Sequence, residues 1–121
     1  MSKRTILAVD DSLTIRELIN FELSNAGFNV VLAEDGLEGL DRLERVRPDV
    51  IITDVNMPRL DGLSFIERAR AGLARATPIL VLTTESDPAL KARAKAAGAT
   101  GWIVKPFNPV QLVEAVQRVA P

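Results

Sequence analysis

"TILAVDDS", Thr5 to Ser12, joins a short apolar run to two adjacent aspartates, and a helical pattern follows. Similar apolar runs, rich in branched residues, recur along the chain and predict β-strands at "TILAV" (5 to 9), "FNVVLA" (28 to 33), "DVIIT" (49 to 53), "PILVL" (78 to 82) and "GWIV" (101 to 104). Runs without polar alternation are typical of parallel strands buried on both faces, although 28 to 33 is less uniformly apolar.

Helical patterns lie between these runs, over residues 13 to 26, 37 to 46, 62 to 72, 88 to 97 and 109 to 120. Gly27 and Gly98 follow two of these segments and act as helix stops. Because strand and helix alternate along the whole chain, we expect an α/β fold: an open parallel sheet with right-handed crossovers and helices on both faces.

Length and composition limit the organisation of the protein. The chain has 121 residues, 47% of them hydrophobic, so we expect residues 1–121 to form a single domain with one sizeable core. The formal net charge is −1, which gives no general attraction to nucleic acid, so we expect the protein to bind none. A monomer is the default expectation. The apolar runs are too short for a signal peptide or a bilayer span, which predicts a cytoplasmic protein without membrane insertion.

The sequence has neither cysteine nor histidine. This excludes thiolate metal sites, cysteine nucleophiles and the usual general base. Any chemistry must therefore use carboxylates, hydroxyls, lysines or the backbone. A metal site in this protein would favour a hard cation, which prefers oxygen ligands.

Polar groups follow four of the predicted strands. They are Asp10 and Asp11 after the first, Asp54 after the third, Thr83 after the fourth and Lys105 after the fifth, whereas the second strand supplies no comparable group. A strand order of 2-1-3-4-5 would bring them together at one edge of the sheet. Three carboxylates without histidine or thiolate suit Mg²⁺, and Asp54 could then attack phosphorus as a carboxylate nucleophile. Mg²⁺ and Lys105 would neutralise the charge of the phosphoryl group, and the Thr83 hydroxyl could donate a hydrogen bond to its oxygens.

Each of these residues also has a structural interpretation. Asp11 and Ser12 are good helix caps, Asp54 before Pro58 suits a turn, Thr83 suits a strand and Lys105 suits the surface. A second aspartate at Asp10 has no evident structural use. We therefore favour a functional site because the four strand ends carry these groups together.

The motifs "VDDS", "DVNMPRLDG", "PILVLTTES" and "GATGWIVKPF" resemble those of the receiver domains of two-component response regulators, in particular the single-domain chemotaxis regulators. The resemblance covers residues 3 to 120 and implies a flavodoxin-like (βα)5 three-layer fold with the strand order 2-1-3-4-5. It implies that Asp54 is the phosphoacceptor of a chemotaxis-type histidine kinase. Mg²⁺ would be held by Asp10, Asp11, Asp54 and the backbone carbonyl of Asn56, and Thr83 and Lys105 would contact the phosphoryl group. The Lys105–Pro106 bond is expected to be cis.

The resemblance also implies a cytoplasmic bacterial signalling switch that is not an enzyme beyond self-phosphorylation from small donors and autodephosphorylation. Asn56 and Glu85 resemble the pair that sets a short phosphate lifetime in chemotaxis regulators. Thr83 and Trp102 would form the switch, with Trp102 where the family commonly has tyrosine or phenylalanine. The output face would be the fourth helix, the fifth strand and the fifth helix.

On that output face, Lys91, Arg93, Lys95 and Trp102 would meet a flagellar motor switch protein or another chemotaxis target. An ordinary solvated helix explains the basic residues equally well. A phosphate sink or a phosphorelay receiver without motor output is the alternative function.

Other classes fit less well. A flavin electron carrier needs a first loop that cradles phosphate, which Asp10 and Asp11 would repel. An aspartate-nucleophile phosphatase typically carries Asp-x-Asp after the first strand, where this chain has Asp-Asp-Ser. A degenerate receiver used only for docking would not need the complete set of site residues.

Overall fold

The apolar runs form a five-stranded parallel sheet in the order β2-β1-β3-β4-β5. The computed structural model describes residues 3–84 and 87–121. The strands are β1 (Thr5–Val9), β2 (Asn29–Ala33), β3 (Val50–Asp54), β4 (Ile79–Thr83) and β5 (Gly101–Val104); the helices are α1 (Leu13–Asn25), α2 (Gly36–Val46), α3 (Gly62–Ala71), α4 (Pro88–Ala97) and α5 (Pro109–Val119). The predicted flavodoxin-like fold is confirmed.

The strand boundaries differ from the prediction at the edge that matters most. β3 and β4 each end one residue later, so Asp54 and Thr83 are the last strand residues rather than the first loop residues. The sheet holds them because Asp54 is in register with Leu82 and Thr83 with Val104. Both side chains are therefore carried by sheet backbone, which fixes their directions more firmly than a loop would.

Alternate strand residues face two separate apolar layers, as the period of a strand requires. Leu7, Ile51 and Val81 pack in one layer with buried residues of α2, α3 and α4, and Ile6 and Ile52 pack in the other with those of α1 and α5. The helices therefore cover both faces of the sheet.

The edge strands are less buried than the central ones. The partial burial of β2 agrees with its mixed sequence. The expectation of burial on both faces is wrong for β5, whose residues Gly101 to Val104 are half-buried or exposed. β5 pairs only with β4, so one side of it has no neighbouring strand in the described sheet.

The helices begin at the same edge where the strands end, and each start has a polar cap. The capping side chains, which accept a backbone N–H from the first helical turn, are Ser12, Asp35, Asp61, Asp87 and Asn108. Gly27 and Gly98 adopt positive φ values of 98° and 116° after α1 and α4, as the predicted helix stops require. Across residues 3–84 and 87–121, every helix is too short or too polar to cross a bilayer.

Candidate functional site

Three carboxylates meet at the carboxyl edge of β1 and β3, which are neighbouring strands. Asp10 and Asp11 follow β1, and Asp54 ends β3. One carboxylate oxygen from each of these residues lies within 4.8 Å of the others. We call Asp10, Asp11 and Asp54 the acidic cluster. The sequence prediction that these residues converge is confirmed by this geometry.

Asp10 has a structural contact that the sequence did not reveal. It is 1% exposed, and its Oδ1 accepts the N–H of Ser12 at 2.9 Å. Ser12 in turn caps α1, with Oγ accepting the N–H of Ile15 at 3.3 Å. The expectation that a second aspartate has no structural use is therefore wrong, because Asp10 also shapes the turn into α1. Asp11 is exposed and remains available to a ligand.

Lys105 reaches the acidic cluster from the end of β5. Its Nζ lies 2.7 Å from Oδ2 of Asp10 and 3.4 Å from Oδ2 of Asp54. Burial alone would lower the pKa of the Lys105 ammonium, but hydrogen bonds and charge attraction to both aspartates outweigh it, and the pKa is raised. Lys105 is therefore a cation under all ordinary conditions. Its peptide bond to Pro106 is cis, as expected.

Asp54 is held at the base of this cluster. It is 8% exposed, and its Oδ1 accepts the N–H of Val55 at 2.8 Å. Burial first, and then the negative charge of Asp10, raise the pKa of the Asp54 carboxyl against the opposing effect of Lys105. Because the ionised form of Asp54 is disfavoured, a nearby cation that offsets its charge, or a covalent bond that removes the charge, stabilises the site.

The main chain of Asp54 is packed closely against the start of α3. The Thr53 hydroxyl donates to the Asp54 carbonyl at 2.9 Å, and the N–H of Gly62 donates to the Val55 carbonyl at 2.7 Å. A Cβ at Gly62 would overlap the Asp54 carbonyl oxygen. Only glycine allows α3 to start this close to the end of β3.

Two further predicted site residues, Thr83 and Asn56, lie on segments that adjoin Asp54, on the neighbouring strand and in the following loop. Thr83 is buried at the end of β4, one residue beyond the partner of Asp54, and its carbonyl accepts the Lys105 N–H at 2.7 Å. Asn56 is exposed in the loop that follows β3. Glu85 lies outside the described residues.

The predicted output residues lie on α4 and β5, away from the acidic cluster. Lys91, Arg93 and Lys95 are exposed on α4. Nζ of Lys91 is 5.8 Å from the centroid of the Trp102 ring, within the range of a cation–π contact. Among the described residues, the buried Nε1 of Trp102 has no hydrogen-bond partner. Lys91, Lys95, Thr100 and Trp102 also line a cavity of about 270 Å³.

Sequence reasoning missed two arginine contacts near the site. Nη1 of Arg16 on α1 donates to the Asp10 carbonyl at 2.7 Å, and its Nη2 lies 3.8 Å from Glu34. After β2, Asp35 is buried and pairs with Arg59, so the second strand does supply an acid at this edge. The position of Asp35 before the predicted helix at 37 to 46 indicates a helix cap in the sequence, but no sequence pattern indicates its pairing with Arg59.

The donor set fits a hard divalent cation. Three carboxylates with oxygen atoms this close, one of them exposed, match the oxygen ligands that Mg²⁺ takes while keeping some waters. The charges of the three acids exceed that of Lys105 by two, so a divalent cation would neutralise the cleft. Fold and site together define a doubly wound α/β protein with a carboxylate and ammonium cleft at the carboxyl edge of its sheet.

Comparisons with known proteins agree with this class. The family model for the response regulator receiver domain matches residues 6–117, and the chain belongs to this family. The protein is thus the receiver domain of a two-component response regulator. Receiver domains are phosphoacceptors that interact with histidine kinases and bind Mg²⁺ in their active site.

Two solved structures of receiver-type proteins are similar to this chain over nearly its whole length. The solved structure of Vibrio cholerae chemotaxis protein CheY4 is 48% identical with a TM-score of 0.94, covering 98% of this chain and 99% of that one. The receiver domain of the sensor histidine kinase PA1611 from Pseudomonas aeruginosa PAO1, which has magnesium coordinated in its active-site cleft, is 31% identical with a TM-score of 0.89, covering 98% of each chain.

The curated relatives are longer proteins. Response regulator MprA of Mycobacterium leprae is 40% identical over 112 residues, which are 93% of this chain and 49% of that protein. The chain spans about half the length of the curated relatives it matches.

Proposed function

We propose that the protein is a phosphorylation-activated switch in which Asp54 accepts a phosphoryl group from a histidine kinase in the presence of Mg²⁺. The observation that carries this proposal is the position of Asp54, at a strand end between two further carboxylates and the Lys105 ammonium. A carboxylate oxygen of Asp54 forms the new O–P bond while the P–N bond of phosphohistidine breaks, and the imidazole ring, which carries a proton on its other nitrogen, leaves as the neutral imidazole.

Mg²⁺ would be held by the acidic cluster and the Asn56 backbone carbonyl, where it would supply positive charge to the phosphoryl oxygens. Lys105, already 3.4 Å from Asp54 Oδ2, stabilises the negative charge that the phosphoryl group brings. Thr83 donates its hydroxyl to the same oxygens from the next strand. Val55 fixes the orientation of the Asp54 carboxylate through its N–H.

Phosphorylation is read at the face formed by α4, β5 and α5. The Thr83 hydroxyl moves toward the phosphoryl group, and the Trp102 ring changes its position in response. The exposed Lys91 and Lys95, beside the Trp102 cavity, suit an acidic or amphipathic partner segment.

Water then removes the phosphoryl group in a self-catalysed step, and the pair Asn56 and Glu85 sets a lifetime of seconds to minutes. Apart from self-phosphorylation by small donors and this autodephosphorylation, the protein has no enzyme activity. Residues 1–121 act as one receiver domain, as a monomer in the bacterial cytoplasm.

The target is a flagellar motor switch protein or another chemotaxis protein. The similarity over nearly the full length of Vibrio cholerae CheY4 supports this choice. A phosphate sink or phosphorelay receiver is the second candidate, and the likeness to the receiver domain of a sensor histidine kinase favours it. Binding of the phosphorylated protein to a motor switch protein distinguishes the two.

Incubation with Mg²⁺ and phosphoramidate, followed by intact mass measurement, tests the proposal. We expect a single phosphoryl addition that disappears in Asp54→Asn. Asp61→Asn is the matched control, because it changes an exposed aspartate that caps α3 and should still be phosphorylated. Addition that persists in Asp54→Asn, or none in the unmodified protein, would reject it.

A further inference from the structure

The loop between β3 and α3, residues 55–61, is fixed at its tip as well as at its base. At the base, the Gly62 N–H donates to the Val55 carbonyl at 2.7 Å. At the tip, the Leu60 carbonyl accepts the Gly36 N–H at 3.2 Å, and Arg59 pairs with Asp35. The tip is thus attached to the junction of β2 and α2, on a different part of the chain.

The ion pair at the tip consists of two short contacts to one carboxylate oxygen of Asp35. Oδ2 of Asp35 lies 2.8 Å from Nε and 2.7 Å from Nη2 of Arg59. Oδ1 of the same carboxylate caps α2 by accepting the Glu38 N–H at 2.9 Å. Because Asp35 is 4% exposed and tied to a helix, it is a rigid anchor for the guanidinium. Burial would raise the pKa of Asp35, but the Glu38 N–H and Arg59 outweigh it, and the pKa is lowered.

The backbone at the tip adopts a conformation that arginine does not favour. Arg59 has a φ of 67°, and the Leu60 N–H donates across it to the Pro58 carbonyl at 2.8 Å. This tight three-residue turn is strained for a residue with a Cβ and persists only where surrounding contacts hold it. Gly36 contributes to the fit, since a Cβ there would press against the Leu60 carbonyl.

We propose that the Asp35–Arg59 ion pair is a positioning device for the Asn56 carbonyl, which lies three residues before Arg59 in the same loop. This inference rests on the proposed function, in which that carbonyl is a Mg²⁺ ligand. Groups that orient a metal ligand from outside the coordination sphere strengthen metal binding. Arg59 acts through the loop backbone and touches neither the metal nor the phosphoryl group.

Electrostatics and positioning predict opposite effects of removing Arg59. Loss of a cation leaves Asp35 uncompensated and makes this edge more negative, which by itself would strengthen Mg²⁺ binding. Loss of positioning frees the loop and weakens Mg²⁺ binding. The sign of the change therefore identifies the mechanism.

Arg59→Gly is the most informative variant because glycine accepts a positive φ without strain. We expect Mg²⁺ affinity, measured by isothermal titration calorimetry, to fall about tenfold. The melting temperature should fall as well, because the buried Asp35 loses its partner, and relief of the positive φ offsets part of that loss. Arg59→Lys keeps the charge and one hydrogen bond to Asp35 and should recover part of the affinity. Arg45→Gln removes one exposed cation from α2 and is the charge-matched control, expected to bind Mg²⁺ at least as tightly as the unmodified protein.

A second measurement does not depend on Mg²⁺. Backbone ¹⁵N relaxation of Asn56 and Met57 in the metal-free protein should show lower order parameters in Arg59→Gly than in Arg45→Gln. Unchanged order parameters, or unchanged or tighter Mg²⁺ binding by Arg59→Gly, would overturn the inference. If the unmodified protein binds no Mg²⁺ while the order parameters do fall, the proposed function fails and the loop anchor stands.

Discussion

Replacing Lys105 with methionine tests whether its ammonium offsets the crowding of carboxylates at the sheet edge. The substitution keeps an unbranched apolar side chain, one atom shorter than that of lysine, and removes the charge. In the structure this charge lies 2.7 Å from Asp10 Oδ2 and 3.4 Å from Asp54 Oδ2. The Lys105 side chain is 13% exposed and that of Asp10 1%, so solvent screens the pair weakly.

The expected loss of stability follows from this burial. Removing one partner of a buried ion pair lowers the free energy of unfolding by about 3–5 kcal/mol. Asp10 keeps its hydrogen bond from the Ser12 N–H, so we expect a loss at the lower end of this range, about 3 kcal/mol.

Mg²⁺ should restore much of this stability because it would replace the missing charge. At a concentration 100 times the dissociation constant, a ligand of the folded state adds about 2.7 kcal/mol. Without the competing ammonium, Lys105→Met should also bind Mg²⁺ more tightly, and each tenfold gain in affinity adds about 1.4 kcal/mol.

Urea unfolding with and without Mg²⁺ measures both effects. Lys95→Met removes an exposed lysine of α4 and should change stability by no more than about 0.5 kcal/mol. If metal-free Lys105→Met is as stable as the unmodified protein, or if Mg²⁺ stabilises the two equally, the Lys105 ammonium does not offset the charge of the carboxylates.

Three further predictions address the site and its output. Because the pKa of Asp54 is raised, its ionised form disfavours folding, so Asp54→Asn should increase the free energy of unfolding at neutral pH without Mg²⁺. This gain should vanish as the pH falls through the pKa of Asp54. A variant that is less stable than the unmodified protein in urea unfolding at neutral pH would contradict this prediction. Gly62→Ala should lower stability by about 2 kcal/mol in urea unfolding, since its Cβ would displace the Asp54 carbonyl, and an unchanged midpoint would show that the main chain can yield there. Phosphodonor and Mg²⁺ should change the emission of Trp102 as its contact with Lys91, now 5.8 Å, is altered, and constant emission would argue against the aromatic switch.

Much of the fold was predictable because local signals agreed with one another. The apolar runs, the polar residues before each helix and the glycines after α1 and α4 all favoured the same alternation of strand and helix. The acidic cluster followed from a simple geometric fact, that neighbouring parallel strands end at the same edge. Asp10, Asp11 and Asp54 needed only the strand order to meet.

Contacts between distant loops were not predictable in the same way. The pairing of Lys105 with Asp10 in preference to Asp54 depends on the path of the chain after β5. The Asp35–Arg59 pair joins loops 24 residues apart and requires the positive φ at Arg59. Neither periodicity nor spacing carries this information, because it arises only when the loops pack against each other.

In the proposed mechanism, a divalent cation neutralises the acidic cluster, and Asp54 accepts and holds the phosphoryl group. A crystal structure of the protein with Mg²⁺ and beryllium fluoride, a mimic of the phosphoryl group, tests this most directly. We predict a metal bonded to the three carboxylates and the Asn56 carbonyl, with the fluoride adduct on Asp54 beside Lys105. A cleft that contains no metal, or an adduct on another residue, would contradict the account.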